Sequence, residues 1–425
     1  MNEPLGPIEL LRTNRRFRAL WLSQVVSELG DWFQIVALLT LLPTGGGTAH
    51  VVGGYLVLRL LPMVIWAPLS GLVADRLHRG RVMIACDVLR AAIVLCYPFV
   101  IRADGSVNVP LIYALSFAQE SVTAFFEPAR GAAVPQLVPT RGLLSANALG
   151  GATWSAMVAL GAFFGGIATT HLGRNTAYVI DAFSFLLSAA FVLAARVPAL
   201  EEAPPQQHDA PKVSAIREGV SWLRDHPAQA VAATLKGGWG LVGGIVVLFT
   251  AFADQVFTRN DAAAAATALG VLYAGRGAGA LIGPFIARRF TGETVAGLVR
   301  ALAFSFPVAA LGYAAYAASP TLAIATFAIV IAHCGGSTVW VHSTQLLQLT
   351  VPNRLLGRVV AVEWAILTMA MALSTLGVAA VLDAGLSPRK AALCVAAAAL
   401  LSAAAWASVM RWVRVRLEAE YDSLR

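Results

Sequence analysis

Long apolar runs separated by short polar connections are the feature of this sequence that most limits its fold. At 1.5 Å per residue, an α-helix needs about 20 apolar residues to cross the ~30 Å hydrocarbon core of a bilayer. Twelve runs meet that requirement, at residues 17–42, 50–74, 82–101, 108–129, 143–170, 176–196, 228–256, 264–288, 295–317, 321–348, 358–382 and 390–412. The sequence therefore predicts an all-α membrane protein with twelve transmembrane helices.

Composition agrees with that assignment. The chain is 58% hydrophobic and only 13% charged, whereas soluble domains carry about a quarter charged residues. Its net charge of +8 comes from arginines and lysines at the ends of apolar runs. They concentrate in alternate connections, which is the positive-inside signal and not the stripe of a nucleic-acid-binding surface. We expect both termini to be cytoplasmic and no nucleic-acid partner.

The chain divides into two related halves. A polar, proline-rich stretch follows the sixth run and then shows apolar residues at helical spacing, which predicts a linker with an amphipathic helix on the membrane surface. We predict a six-helix bundle at 1–198, a cytoplasmic linker at 199–227 and a second six-helix bundle at 228–425. "QLVPTRGLL" from Gln136 reappears as "QLTVPNRLLG" from Gln348, and "GLVADRLHRGR" from Gly71 reappears weakly as "GPFIARRFTGE" from Gly283. Such pseudo-symmetric repeats are typical of secondary transporters.

The connection after the second run carries a specific motif. In "GLVADRLHRGR", the residues Gly71, Asp75, Arg76 and Arg79 resemble the signature loop of the major facilitator superfamily, although His78 stands where that loop has glycine. Other stretches resemble the superfamily's drug:proton antiporter-3 branch, which includes macrolide and siderophore exporters. They are "FFEPARGAAVPQLV", "LLSANAL", "DVLRA", "EGVSWLRDHP" and "LLGRV".

The resemblance implies the major facilitator fold and a proton-coupled transporter of the bacterial cytoplasmic (inner) membrane. It implies efflux of amphipathic small molecules by alternating access between the two bundles. Protons, the substrate and the lipid bilayer would be the partners of a monomer. Neither a cofactor nor a metal is expected, and no catalytic residue is assigned.

The signature loop has a physical interpretation of its own. An aspartate near a helix N-terminus stabilises the positive end of the helix dipole by about 0.3–1 kcal/mol. We predict that Asp75 lies near the start of the helix that Leu356–Arg358 open, and that this contact is a conformational latch. The full latch set is Gly71, Asp75, Arg76, Arg79, Arg81, Glu127, Arg130, Gly357 and Arg358. Glu127 and Asp87 are the expected carboxylates for the loop arginines. The alternative is that these charges only fix topology.

The fifth run contains "GAFFGG", which resembles an antiporter motif with Ala162 in place of its proline. Small residues let transmembrane helices approach closely and bend. We therefore predict that Gly161, Gly165 and Gly166 belong to a gate helix.

Charged side chains interrupt the apolar runs near the expected midplane of the bilayer. Counting from the outer end of the first helix places Asp31 roughly 18 Å deep at ~1.5 Å per residue. Gln24, Glu28 and Asp31 follow the i, i+4, i+7 spacing of one helix face. Arg59 of the second run and Glu120 of the fourth reach similar depths. Because a charge facing lipid at that depth costs about 2.5–3.5 kcal/mol, these groups should face protein or a wet cavity.

Two interpretations of these charges compete. In the structural one, Arg59 neutralises Asp31 or Glu28 in a buried pair. In the functional one, three carboxylates against one arginine leave acid unpaired. Burial and like charges then favour its protonated form, so that it exchanges a proton during transport. Asp31 is the first choice because "LGDW" resembles the first helix of the branch, followed by Glu28 and Glu120.

Further polar and aromatic residues are candidates for lining a substrate cavity. Arg276 and His333 lie deep in the second half, and a metal site shared by His333 and His342 is not expected. The candidates for the cavity are Gln24, Trp239, Arg276, His333 and Trp340.

Three functions fit the sequence. The first is a proton-coupled exporter of amphipathic molecules, with sodium as an alternative coupling ion. The second is a lysophospholipid transporter, in which Arg59 and Arg276 would recognise phosphate. The third is a receptor or scaffold that has lost transport. No G-x-x-x-x-G-K-[ST], H-E-x-x-H or G-x-S-x-G motif occurs, so neither an ATPase engine nor an enzyme is predicted.

Overall fold

A computed structural model describes residues 5–45, 48–198, 212–259, 261–292 and 294–423. Within these residues, 12 helical segments are long and apolar enough to cross a membrane. They are Arg15–Gly45, Ala49–Ala67, Arg79–Val100, Val109–Leu137, Ser145–His171, Arg174–Ala195, Pro227–Phe257, Ala264–Thr291, Val295–Ala318, Leu322–Thr350, Leu355–Asp383 and Pro388–Tyr421. The predicted class and number of spans are confirmed.

The chain packs as two compact units. Unit 1 comprises Met1–Gln207 and Thr258–Ala274, and unit 2 comprises His208–Phe257 and Gly275–Arg425. Thr258–Ala274 thus packs with unit 1, although it lies within the second predicted bundle. Residues 199–211 of the predicted linker lie outside the part of the chain that the structure describes.

The helices are numbered in chain order. The helices up to the linker are α1 (Pro7–Thr13), α2 (Arg15–Leu41), α3 (Ala49–Leu58), α4 (Leu61–Arg76), α5 (Arg79–Val94), α6 (Val109–Leu137), α7 (Leu143–His171) and α8 (Arg174–Ala195). The later ones are α9 (Lys212–Asp225), α10 (Pro227–Gly240), α11 (Ile245–Ala251), α12 (Ala262–Thr291), α13 (Val295–Ala318), α14 (Leu322–Thr350), α15 (Asn353–Asp383) and α16 (Pro388–Ser423).

Among the described residues, two of the spans consist of two α-helices each. The second span breaks between α3 and α4, where Pro62 lies in the first turn of α4 and has no N–H to continue the hydrogen-bond ladder. Arg59 forms the C-cap of α3 at this break. The seventh span breaks between α10 and α11, and its last part, Phe252–Phe257, is a π-helix. Discontinuous spans of this kind are frequent in transporters because they expose backbone groups to a cavity.

Glycines bring α2 into close contact with two neighbouring helices of unit 1. A Cβ on Gly30 would lie 2.0 Å from Ser184 Oγ of α8. A Cβ on Gly161 would lie 2.9 Å from Trp32 Cβ, and one on Gly165 would lie 2.9 Å from Phe33 Cα. The middle of α2 is therefore held between α7 and α8 at distances that only glycine permits.

A buried ion pair joins α5 to the helices beside it. The Arg90 guanidinium donates to the Asp87 carboxylate, and their side chains are 3% and 0% exposed. Ser188 Oγ of α8 donates to Asp87 Oδ2 over 2.8 Å. The Arg90 guanidinium also lies 4.3 Å from the ring centroid of Phe126 and 4.4 Å from that of Phe185. This pair connects α5, α6 and α8 by charge, hydrogen bonding and cation–π contact.

The amphipathic helix α9 packs within unit 2. Leu223 is buried in a core that also contains Leu298, Leu346 and Trp406. A Cβ on Gly219 would lie 2.7 Å from the Arg358 carbonyl oxygen, so α9 approaches the start of α15 closely. Glu218 accepts a hydrogen bond from Arg358 at the same contact. The apolar face predicted for the membrane surface is covered by protein at Leu223.

Gly30→Ala should lower the stability of the protein by about 1–3 kcal/mol, because the added methyl group overlaps Ser184 and forces α2 and α8 apart. Gly151→Ala is the matched control, since a Cβ on Gly151 of α7 meets nothing within 4 Å. It should be neutral or stabilising by up to ~1 kcal/mol through helix propensity. Thermal unfolding in detergent would compare the variants, and an equal loss in both would contradict the packing argument.

Asp87→Asn should destabilise the protein by about 3–5 kcal/mol, because it leaves the buried Arg90 guanidinium without its counter-charge. The double variant Asp87→Asn/Arg90→Met should recover most of that loss, since it removes both charges. Thermal unfolding of the single and double variants measures the difference. A double variant as unstable as Asp87→Asn would mean that Asp87 acts through packing alone.

Candidate functional site

Among the described residues, three ion pairs lie within the spans of unit 1. Besides Asp87 and Arg90, Arg59 Nε donates to Glu120 Oε1 over 2.6 Å, and Arg130 Nη2 donates to Glu127 Oε2 over 2.8 Å. The pair that Arg59 forms is with Glu120 of α6, and not with Asp31 or Glu28 as the structural interpretation predicted. Arg59 lies at the C-terminal end of α3, where the partial negative charge of the last carbonyl groups also favours a cation.

Gln24 and Glu28 form a hydrogen-bonded chain with α6 and α7. Arg130 Nη1 donates to Gln24 Oε1 over 2.8 Å, and Gln24 Nε2 donates to Glu28 Oε1 over 2.8 Å. Gln24 Nε2 also donates to the carbonyl oxygen of Gly150 over 3.1 Å. The amide of Gln24 thus lies between the Arg130–Glu127 pair and Glu28. Glu28 Oε2 is buried and has no hydrogen-bond partner.

Asp31 lies near the middle of α2 and is partly buried. Within the part of the chain that the structure describes, no hydrogen bond or ion pair ends on its carboxylate. It lies within electrostatic range of Arg90 and Arg59, and also of Glu120 and Asp181. The nearby cations are already paired with other carboxylates. Asp31 therefore combines a central position with an uncompensated charge.

Asp181 of α8 is a second uncompensated carboxylate, which the sequence analysis missed. The residue is fully buried, and its Oδ2 atom has no hydrogen-bond partner. Ser184 Oγ donates weakly to Asp181 Oδ1, over 3.4 Å. A Cβ on Gly30 would lie 2.8 Å from Asp181 Oδ1, so this acid is adjacent to the backbone that carries Asp31. An aspartate within the apolar stretch "YVIDAF" was the available signal.

Among the described residues, these contacts leave three carboxylates within the spans of unit 1 without a cation. Arg59, Arg90 and Arg130 are each paired with one acid, whereas Glu28, Asp31 and Asp181 form no ion pair in the described residues. The stripe predicted on α2 is thus present as a row of polar groups. In this row, Gln24 contacts α6 and α7, and Asp31 lies beside Asp181 of α8.

In unit 2, His333 lies in an aromatic cluster. Its ring centroid is 5.5 Å from that of Trp239 and 6.3 Å from that of Phe249. His333 Nε2 lies 3.5 Å from the Tyr313 hydroxyl, and Arg276 acts electrostatically on both of these side chains. The structure therefore brings the candidates Trp239, Arg276 and His333 together. His333 itself is buried, which makes it a member of a packed cluster.

The last cavity candidate, Trp340, lies beside a buried ion pair that the sequence analysis did not assign to the site. Lys236 Nζ of α10 donates to Glu363 Oε2 of α15 over 2.9 Å. The Lys236 ammonium lies 5.0 Å from the ring centroid of Trp340. Lys236 and Glu363 each lie within an apolar run, which was the available signal, but nothing in the sequence pairs them.

The latch residues have the following positions. Arg79 Nε donates to the carbonyl oxygen of Ala74 over 3.2 Å, and its Nη1 donates to that of Ala132 over 2.9 Å, so Arg79 ties the end of α4 to α6. The side chain of Asp75 lies outside what the structure describes, and the latch stays a prediction.

The expected partners of the loop arginines were wrong. Glu127 is paired with Arg130, and Asp87 with Arg90, instead of with Arg76, Arg79 or Arg81. The remaining latch candidates are Gly71, Gly357 and Arg358. Gly357 is exposed and a Cβ on it would meet nothing within 4 Å, whereas Arg358 binds Glu218 of α9.

The glycines of α7 contact both α2 and the first part of α12. A Cβ on Gly166 would lie 2.5 Å from the Ala266 carbonyl oxygen, and one on Gly270 would lie 2.4 Å from that of Ala162. Thr170 Oγ1 and Thr267 Oγ1 are 2.8 Å apart in the same contact. Because both backbones approach through small residues, this contact has the geometry of tight transmembrane helix packing. The predicted gate role is not tested by it.

Among the described residues, no group of three or more His, Cys, Asp or Glu side chains could hold a metal ion. The unpaired carboxylates of unit 1 can accept protons and attract cations.

Comparisons with known proteins agree with this architecture. Among solved structures, the chain is similar to the nucleoside transporter NupG (D323A mutant), with a TM-score of 0.71 and 12% identity over 92% of this chain and 99% of that one. It is also similar to a bacterial homologue of the human lysosomal transporter Spinster, in an inward-facing and unoccupied conformation. That TM-score is 0.67 at 15% identity, over 97% of this chain and 98% of the other.

Relatives in sequence include bacterial exporters. The chain is 31% identical to the putative bacilysin exporter BacE of Bacillus subtilis (strain 168) over 183 residues, which are 43% of this chain and 44% of that protein. It is 24% identical to macrolide efflux protein A of Streptococcus pyogenes over 211 residues, 50% of this chain and 52% of that protein. It is 26% identical to the MFS-type transporter YfiS of Bacillus subtilis (strain 168) over 242 residues, 56% and 55% of the two chains.

The matched regions span about half the length of these relatives. The family model of the Major Facilitator Superfamily, in contrast, matches residues 20–375, which is most of the chain. With twelve apolar helices and the solved structures it resembles, the chain belongs to the major facilitator superfamily of transporters.

Proposed function

We propose that this protein is a proton-coupled exporter of amphipathic small molecules, multi-pass in a bacterial cytoplasmic membrane with both termini in the cytoplasm. The observation that carries the proposal is the uncompensated acid within the membrane spans of unit 1, where Glu28, Asp31 and Asp181 form no ion pair in the described residues. The names of the exporter relatives support the direction of transport.

An uncompensated carboxylate within a transmembrane bundle is expected to bind a proton for part of the transport cycle. A lone charge there costs several kcal/mol, and protonation removes it. Exchange additionally requires access to water. Asp31 is the best candidate, because its carboxylate forms no hydrogen bond in the described residues and the residue is partly exposed. Asp181 is fully buried, so it would take its proton by way of Asp31.

The same acids explain how a substrate could be coupled to protons. A cationic substrate and a proton both stabilise the carboxylates of unit 1, so binding of one disfavours binding of the other. This competition is sufficient for antiport. A cationic or zwitterionic amphipathic molecule fits these requirements.

Asp31→Asn should abolish substrate-dependent proton movement while leaving the fold intact, because asparagine keeps the shape of the side chain and cannot titrate. The measurement uses protein reconstituted in liposomes that contain a pH-sensitive dye, to which lipophilic cations are added. Asp181→Asn should slow proton movement without abolishing it, since Asp31 still reaches water.

Asp104→Asn is the matched control for this experiment. Asp104 is exposed in the connection between α5 and α6, where the hydrogen bonds that Ser106 donates lower its pKa and keep it charged. Its variant should transport like the wild type. Normal proton movement by Asp31→Asn would contradict the assignment of the coupling site.

Adding lysophospholipids to the same assay tests the second function. Recognition of a phosphate group would require Arg59 or Arg276, whereas export of a cation would not. Transport of lysophospholipids that is lost in Arg276→Gln, without transport of cations, would replace the exporter proposal.

A further inference from the structure

Unit 2 contains a buried ammonium group with a complete set of partners. Lys236 Nζ donates to Glu363 Oε2 over 2.9 Å and to Thr344 Oγ1 over 2.7 Å. Ser343 Oγ lies 3.5 Å from the other carboxylate oxygen of Glu363. The Lys236 and Glu363 side chains are 3% and 0% exposed. The three helices α10, α14 and α15 thus converge on one positive charge.

Two tryptophans line the same ammonium group. The Lys236 Nζ atom lies 5.0 Å from the ring centroid of Trp340 and 6.0 Å from that of Trp364. The two indole rings are 5.4 Å apart and almost perpendicular, at 89°. Indole faces attract cations at distances up to about 6 Å, and the attraction is stronger when the cation is desolvated.

A carboxylate, a hydroxyl group and two indole faces are the groups that recognise an organic ammonium ion. We infer that this cluster is a binding site for the ammonium group of a cationic substrate, and that Lys236 is a built-in competitor that occupies it when no substrate is bound. This inference rests on the proposed export of cationic amphipathic molecules.

The aromatic side of the cluster is its exposed side. Trp340 is 36% exposed and Trp364 is 48% exposed, whereas the charges behind them are buried. A ligand would therefore contact the indole faces before it reaches Glu363. Lysine suits the role of a competitor because its flexible four-carbon stem lets the ammonium group move out along apolar surface.

The internal repeat argues against a purely structural role for this pair. The repeat that relates Pro139 to Pro352 also relates Gly150 to Glu363. In unit 1, Gln24 donates a hydrogen bond to the carbonyl group of Gly150, which carries no charged side chain. The repeated fold thus forms without a charge pair at this place, so the pair in unit 2 is a specific addition.

The test measures binding of 2-phenylethylammonium to purified protein in nanodiscs, with tryptophan fluorescence as the signal and neutral 2-phenylethanol as the control ligand. Lys236→Met should bind the ammonium ion about tenfold more tightly than wild type, because Glu363 then lacks its internal partner. Lys236→Arg keeps the competitor and should bind no more tightly than wild type. Lys236→Met/Glu363→Gln should lose the gain, since it removes both charges.

Unchanged or weaker ammonium binding by Lys236→Met would overturn the inference, as would a gain that survives in the double variant. If Lys236→Met does not fold, Glu363→Gln in the otherwise unchanged chain must still weaken ammonium binding at least about fivefold, and unchanged binding would overturn the inference equally. Because binding needs no gradient, failure here with normal proton movement in liposomes would leave the proposed function standing. Absence of proton movement together with the expected ammonium binding would contradict the proposed function and leave the binding site standing.

Discussion

The cost of placing a charge inside a bilayer governs how this protein is built. A span that only crosses the membrane needs no charge, and each one present costs about 2.5–3.5 kcal/mol if it faces lipid. Unit 1 offsets most of that cost with pairs: Arg59 with Glu120, Arg90 with Asp87 and Arg130 with Glu127. The pairs are supplemented by aromatic rings around Arg90 and by the amide of Gln24. Glu28, Asp31 and Asp181 form no such pair in the described residues, so their presence within the spans requires a functional explanation.

The two units join corresponding helices through different hydrogen bonds and ion pairs. The helix pair α6 and α14 corresponds through the internal repeat, and both contribute polar groups that face the first helix of their unit. In unit 1 these contacts join an arginine and an amide, and they leave acid in excess. In unit 2 they join Lys236 and Glu363 in a balanced pair. The corresponding helices of the two units thus carry different charged contacts within their spans.

Hydropathy was enough to predict the twelve spans, because each span must satisfy its own backbone hydrogen bonds and so appears as a continuous apolar run. The stripe of Gln24, Glu28 and Asp31 followed from helical periodicity in the same way. The pairing of charges did not. Glu120 as the partner of Arg59 depends on the break between α3 and α4, and Lys236 and Glu363 are far apart in the chain. Asp181 was overlooked because its relation to Asp31 depends on the close approach of α8 at Gly30. Local patterns predict elements, whereas contacts between elements decide which charge is left over.

A balanced pair and an unbalanced acid respond differently to the same ligand. An uncompensated carboxylate such as Asp31 gains by taking up either a proton or a cation, so the two compete directly. The Glu363 carboxylate already has a cation, and a substrate gains there only the difference between its own ammonium group and that of Lys236. That difference grows with the apolar surface the substrate lays on Trp340 and Trp364, which a lysine stem covers only in part. Selection for amphipathic over simple cations would then follow from the competitor itself, since a small inorganic ion gains nothing from the indole faces that Lys236 does not already have.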